Sequence, residues 1–341
     1  MKTTNSANSY KLSNKHCNTL HSKSKPNTKW LNLSMVTLAT AFYTHDSYSQ
    51  IIQDVGGVSF TAHAKATFKD MPSSGDNQDT KFQLNTYDAW LPLPPVTIGK
   101  TTIFSNLNYR LMDFNYDNNS TDDPNHIQKI QETKSVIIVR RPVTTRWSIL
   151  GIIMPTLASD TKTKISFDDF YMDGILGVSR RFGPHSNLEI GLGVHVMYSY
   201  GETIVTPGIS IDYRSTDDKW LAQFYWPRLN VLYSITPRTQ VGFAGSIDWT
   251  RFNLKNYTHK QENKEVDYAQ FSTVHFGLQA HQQVFKGLTL QVQAGMGLIN
   301  SYELYDSNQK SINKYSVSSL PYTKISLSYR ISGQPNQTRR K

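Results

Sequence analysis

Asn187-Leu-Glu-Ile-Gly-Leu-Gly-Val-His-Val-Met-Tyr-Ser-Tyr200 decides how the rest of the chain is read. Leu188, Ile190, Leu192, Val194, Val196, Tyr198 and Tyr200 are apolar, and Glu189, Gly191, Gly193, His195, Met197 and Ser199 stand between them. A period of two places each set on one face of a β-strand. At about 3.3 Å per residue the stretch spans roughly 40 Å, twice the commonest strand of a globular protein. One face is aliphatic with aromatics gathered at its end. The other carries small and polar groups suited to a wet lumen. A strand that crosses a membrane as part of a barrel needs this pair of faces.

Composition agrees with that reading. The chain has 341 residues with 19 Tyr, 15 Phe and 6 Trp, yet only 38% of it is hydrophobic. No run of about 18 apolar residues occurs, which excludes a transmembrane helix. A membrane barrel remains open to it, because only half of a barrel's strand residues face lipid.

The first 49 residues differ from the rest. Met1 to Lys29 is rich in Lys, Asn, Ser and Thr without apolar periodicity, and a moderately apolar segment follows from Trp30 to Tyr43. Lys25 and Lys29 precede it, and Ser47-Tyr48-Ser49 supplies small residues where a signal peptidase needs them. Residues 1–49 therefore read as a secretory signal with a long basic n-region, residues 50–331 as the barrel and residues 332–341 as a polar tail. The leader holds six Lys and one Asp, half of the formal +10 charge. No Lys/Arg cluster remains outside it except the Arg-Arg-Lys end, so a nucleic-acid partner is rejected. Cys17 is the single cysteine and lies in the leader, which leaves no thiolate metal site or disulfide for the rest.

Alternation then recurs along the chain. Val58 to Lys69 pairs Val58, Phe60, Ala62, Ala64, Ala66 and Phe68 against Ser59, Thr61, His63, Lys65, Thr67 and Lys69. A less regular strand follows from Phe82 to Leu93, ended by Pro92, Pro94 and Pro95, since proline cannot donate to a ladder. Further strands are expected over 101–112, 127–140, 147–157, 170–182, 204–213, 219–226, 228–235, 241–251, 273–281, 288–298 and 323–331. Connections near 96–100, 142–145, 183–187, 214–218, 236–239 and 284–287 are short. Those near 70–81, 115–126, 159–167, 253–266 and 300–319 are long, while 201–203 and 226–227 are short exceptions. Short turns at one end and long loops at the other mark an outer-membrane barrel. The expected fold is thus all-β: a transmembrane antiparallel up-and-down β-barrel of about 14 strands. Twelve is the alternative if the short middle strands do not all span.

The segments Gly191-Leu-Gly-Val-His-Val-Met197, Pro207-Gly-Ile-Ser-Ile-Asp-Tyr213 and Trp226-Pro-Arg-Leu-Asn-Val-Leu-Tyr-Ser-Ile-Thr-Pro237 carry a resemblance. From about Val55 to Ile331 the chain resembles a family of Gram-negative outer-membrane β-barrels defined as a domain of unknown function. The resemblance implies fold and a location in the cell outer membrane, with outer-membrane lipid and the barrel-assembly machinery as partners. It implies no activity. Barrels of this kind end at an aromatic in the last strand, a place that Tyr329 or Ile331 must fill here.

No phosphate loop, zinc-helix motif, calcium loop or nucleophile elbow occurs, so no catalytic residue, metal ligand or cofactor is assigned. His63, His195, His275 and His281 fall in polar registers and read as histidines on a wet wall. The expected pore-lining set is Lys65, Lys69, Arg110, Arg146, Arg181, Lys324 and Arg330 with Asp173, Glu189, Asp248 and His195. Its basic surplus points to an anion-favouring passage. A pore or transport-type barrel passing small solutes is the leading function. A closed structural or surface-interaction barrel is the alternative, and a barrel hydrolase ranks third. The pattern names neither a solute nor an oligomeric state.

Overall fold

The computed structural model describes residues 54–69, 80–117, 127–160, 162, 164–199, 202–259 and 263–330. The expected leader and polar tail lie outside the described residues. In chain order the strands are β1 (Asp54–His63), β2 (Ala66–Lys69), β3 (Thr80–Ile98), β4 (Thr101–Tyr116), β5 (Lys129–Pro142) and β6 (Trp147–Ser159). A 3-10 turn, Phe167–Asp169, precedes β7 (Phe170–Phe182), β8 (Leu188–Ser199), β9 (Glu202–Arg214), β10 (Trp220–Tyr225) and β11 (Arg228–Thr236). Then come β12 (Thr239–His259), β13 (Lys264–Phe285), β14 (Leu288–Tyr305), β15 (Ser311–Val317) and β16 (Leu320–Arg330).

β1 and β2 are halves of one stave, and so are β15 and β16; sixteen segments therefore make a closed antiparallel barrel of 14 strands. Closure comes from β1, which pairs with β16 on one side and β3 on the other. A ring of this kind leaves no open sheet edge at that level. Hairpins at one end are tight, and Gly99, Gly183 and Gly287 supply the positive φ those turns demand (58°, 83° and 80°).

Three expectations about elements are corrected. β3 does not stop at its prolines but runs to Ile98, because a register shift between Leu93 and Val96 takes Pro94 and Pro95 out of the ladder with β4. Residues 253–259 and 264–266, expected as part of a loop, are strand: β12 and β13 pair from Thr239↔Gln282 out to His259↔Lys264. Residues 300–319 likewise form β-structure, with Asn300↔Val317 through Tyr305↔Ser311 joining β14 to β15. These stretches carry polar residues without clean alternation because they lie past the apolar belt described next.

Facing follows the alternation read from β8. Leu192 (60% exposed), Val194, Val196 and Tyr198 point outward, while Gly191 and His195 are buried on the inner side. Exposed apolar side chains continue round the barrel, from Val58 and Phe60 through Leu107, Ile149, Leu176, Val205, Leu278 and Val292 to Ile325. Aromatics ring the tight-turn end: Trp147, Phe182, Tyr213, Trp220, Phe285 and Tyr329. A second set, Tyr87, Tyr109, Phe170, Tyr198 and Trp226, lies toward the other end. An apolar band between two aromatic girdles is the surface a lipid bilayer selects.

The wall is creased. Gly177, Gly193 and Gly208 stand opposite one another on β7, β8 and β9. A Cβ on Gly193 would lie 2.5 Å from the Leu176 carbonyl oxygen and 2.9 Å from Gly177 Cα. Gly295 faces Gly277 in the same way, with 2.5 Å from its would-be Cβ to Gly277 Cα. These glycines permit close approach of neighbouring strands.

The long-loop end is where the barrel changes character. β7 to β11 stop low, and Trp226-Pro227 at the tip of the β10–β11 hairpin stands level with Ile209 of β9, whose carbonyl accepts from Trp226 N–H at 3.0 Å. β12 continues past this tip, leans across the mouth and meets β6, where Asn253 pairs in parallel with Ser159. Above the panel formed by β7–β11, the strands β12, β13, β14, β15, β2, β3, β4, β5 and β6 thus close a smaller ring. Its interior is a dry core in which Phe68, Phe82, Ile130, Phe252 and Leu320 are all but fully buried, joined by Leu84, Phe114, Leu254, Phe271 and Tyr302. Phe68 stacks on Phe82 at 4.2 Å between ring centroids.

Candidate functional site

Below that core the inward faces are polar, as the even-odd pattern of each strand requires. Glu189 on β8 is the hub of one network, accepting from Arg140 (2.8 Å), Arg181 (3.0 Å) and Ser179 (2.7 Å). Asp88 on β3 holds another, with Arg110 Nε at 2.7 Å and Ser59 Oγ at 3.0 Å. Asp212 on β9 accepts from Gln223 (3.0 Å) and Tyr225 (2.6 Å). Pairs as enclosed as Arg140–Glu189 position the staves more than they stabilise them, because desolvation offsets much of the attraction.

A cavity of about 110 Å³ lies in the lumen against the underside of the dry core. Thr61, His63, Asp88, Arg110, Asp248, His275, Tyr322 and Lys324 contribute to its lining. Ser246 Oγ donates to Asp248 at 2.8 Å, and Gln293 donates to the Tyr322 hydroxyl at 2.6 Å. Elsewhere on the inner wall, Asp173 Oδ1 on β7 and His195 Nε2 on β8 are buried without a hydrogen-bond partner. They occupy neighbouring inward positions, since Asp173 lies opposite Met197 and Ile175 opposite His195.

Of the residues read from sequence as pore-lining, the barrel turns Arg110, Arg181, Lys324, Asp173, Glu189, Asp248 and His195 inward. Lys65 and Lys69 are corrections. The stave breaks at Ala64-Lys65, so Ser59, Thr61 and His63 face in below the break and Ala66 and Phe68 face in above it. Lys69 is left on the outer face, and Lys65 (62% exposed) pairs with Asp117 at 2.7 Å. Arg146 is a third correction, since it sits exposed in the tight turn before β6. Arg330 ends β16, and its side chain lies outside the described residues. Asp88, Glu132, Arg140 and Asp212 also face the lumen. Asp88 lay in a stretch of poor alternation, and Glu132 and Arg140 in a strand polar at one end and uniformly apolar at the other. With these included, the inward set named here holds six acids against four bases among the described residues, and the basic surplus behind an anion preference is gone.

The junction of β6 with β12 is held by side chains. Asp169 is fully buried and accepts from Ser166 N–H (2.7 Å) and Asn253 Nδ2 (2.9 Å), with Lys255 Nζ at 3.2 Å. Burial alone would raise its pKa, yet these donors hold it below the ordinary carboxylate value. Lys255 also donates to Ser166 Oγ at 2.6 Å.

An apolar exterior, a hydrogen-bonded polar interior and a tight-turn end opposite a built-up end together define an outer-membrane-type β-barrel. Residues 45–331 match the model of one family, the domain of unknown function DUF6268, and the chain belongs to it. No curated relative matches. Among solved structures the chain is similar to a FadL homologue of Pseudomonas aeruginosa, at 9% identity and a TM-score of 0.40 over 86% of this chain and 94% of that one. The toluene transporter TodX of Pseudomonas putida aligns at 9% identity and 0.37, covering 86% and 93%. The translocator domain of the autotransporter NalP from Neisseria meningitidis aligns at 10% identity and 0.34, covering 89% and 96%.

Proposed function

We propose that this protein is a transport-type barrel of the outer membrane whose solute path runs beside the capped end and not through it. The observation that carries the membrane placement is the inverted distribution of polarity: exposed Leu, Val, Ile and aromatics outside, ion pairs and amides inside. A soluble protein with that exterior would aggregate. Outer-membrane lipid and the assembly machinery are the partners this surface needs, with Tyr329 near the end of the last described strand. The leader over residues 1–49 is the export signal in this reading.

The dry core supports the choice of path. Phe68, Phe82, Phe252 and Leu320 fill the upper ring with almost fully buried apolar side chains, which leaves water no axial route. The panel of β7–β11 ends lower, and the β9 edge above Ile209 and the β12 edge above Ile247 have no strand between them. Small solutes would pass that side, where Asp173 and His195 offer unpartnered polar atoms.

Planar-bilayer recording tests this. Wild-type barrel should give small conductance steps. A variant with residues 254–265 replaced by a tight turn, which removes the end of the β12–β13 hairpin, should give steps several-fold larger. Silence from both proteins would identify a closed barrel acting through its surface and would refute transport.

A further inference from the structure

His63 on β1 and His275 on β13 come together across the lumen although two staves lie between them. His63 Nδ1 lies 3.1 Å from the Leu84 carbonyl oxygen, which can only accept, so this nitrogen carries the proton. His275 Nδ1 lies 3.2 Å from Asp248 Oδ2, a carboxylate that also accepts. Each ring has therefore spent its proton on an orienting partner, and both Nε2 lone pairs are left bare. The two Nε2 atoms stand 3.4 Å apart. Two bare acceptors at that distance repel unless a cation stands between them.

We propose that His63 and His275 form a two-imidazole site for a divalent first-row transition ion, Zn²⁺ or Cu²⁺. Tetrahedral bonds of about 2.0–2.1 Å separate two ligand nitrogens by roughly 3.3–3.4 Å, which is the spacing found. Imidazole suits these ions, and a carboxylate or backbone carbonyl behind the ligating ring is the usual second shell of a metal histidine. Asp248 is itself held by Ser246, and Tyr322 packs edge-on against His275 at 4.9 Å between centroids. Arg110 is engaged by Asp88, which limits its repulsion of an ion. Among the described residues no set of three or more His, Cys, Asp and Glu is placed to hold a metal. The remaining positions therefore face the cavity, open to water or to a solute carboxylate. The site stands whether or not the lumen conducts.

The test uses full-length mature barrel refolded in detergent and stripped with chelator. Calorimetry with Zn²⁺ should show one ion per chain, and His63→Gln and His275→Gln should each weaken it at least about tenfold. Asp248→Asn keeps both ligands and should weaken it by about 10–100-fold. Cu²⁺ spectra should show two nitrogen couplings in the wild type and one in either histidine variant. Heat-modifiable gel migration confirms that each variant is a folded barrel. No uptake by the wild type, or uptake unchanged when both histidines are replaced, overturns the site. An Asp248→Asn protein that binds as tightly as wild type overturns the orienting argument on which it rests.

Discussion

Arginine scanned along the outer face of β7 measures where the membrane lies. From Phe170 to Phe182, twelve steps of about 3.3 Å and a tilt near 45° give a height of roughly 28 Å between the two girdles. Leu176 is the midpoint of that path, 68% exposed and pointing outward. Leu176→Arg should therefore cost about 2–4 kcal/mol, which at the middle of that range is a shift of roughly a hundredfold or more in the folded population. Each two-residue step changes depth by roughly 5 Å, so Val178→Arg should cost less. Phe182→Arg, at the girdle, should cost no more than about 1 kcal/mol. The native chain already contains the shallow case: Arg180 faces outward with its guanidinium 5.3 Å from the Trp147 ring and 4.9 Å from Phe182. Urea titration of barrel refolded into phospholipid vesicles, followed by tryptophan fluorescence, reads the series. A flat profile, with Leu176→Arg no worse than Phe182→Arg, would falsify the belt and with it the membrane placement.

Gly193→Ala should lose about 1–3 kcal/mol and refolding yield, because its Cβ meets the backbone of β7. Gly151→Ala, where nothing lies within 4 Å of the added atom, should stay within about 0.5 kcal/mol of wild type in the same titration. Equal effects at the two sites would remove the crease. N-terminal sequencing of protein extracted from the cell envelope should begin at Gln50, and a chain retaining Met1 there would show that residues 1–49 are not a cleaved leader.

Much of the barrel could be read before any coordinates, because a period of two survives wherever one face meets lipid and the other meets water. β7, β8 and β16 show it, and there the inward residues Asp173, Arg181, Glu189 and Lys324 were found from alternation. The reading lost its footing where that contrast ends. β12 from Thr250 to Leu254 is covered on both faces and has no period, and the alternation of β14 beyond Ile299, with Tyr302 and Leu304 in the dry core and Ser301 and Glu303 partly exposed, is too short to separate strand from loop. Lys65 and Lys69 were misplaced because a break of two residues leaves the alternation of letters intact while reversing which letter faces in. Nor could the pairing of His63 with His275 be seen, since it depends on which staves curve toward each other. The polar register was the one available signal, and it applied equally to His195 and His281.

The contact between β12 and β6 follows from parity. In a ring whose members all run against their neighbours the count must be even, as it is for the 14 staves of the full barrel. The upper ring omits the five staves β7 to β11, an odd number, and nine remain. An odd ring has to contain a pair that runs the same way, and Asn253↔Ser159 is that pair. Parallel pairing is slanted and slightly weaker per residue, and here it extends over one residue pair, so Asp169, Lys255 and Ser166 seal what the ladder cannot. Evolution can lengthen or shorten the low panel only by whole hairpins if the start of β1 and the end of β16 are to stay on the tight-turn side. Any such change leaves the nine upper staves, and the odd seam among them, untouched.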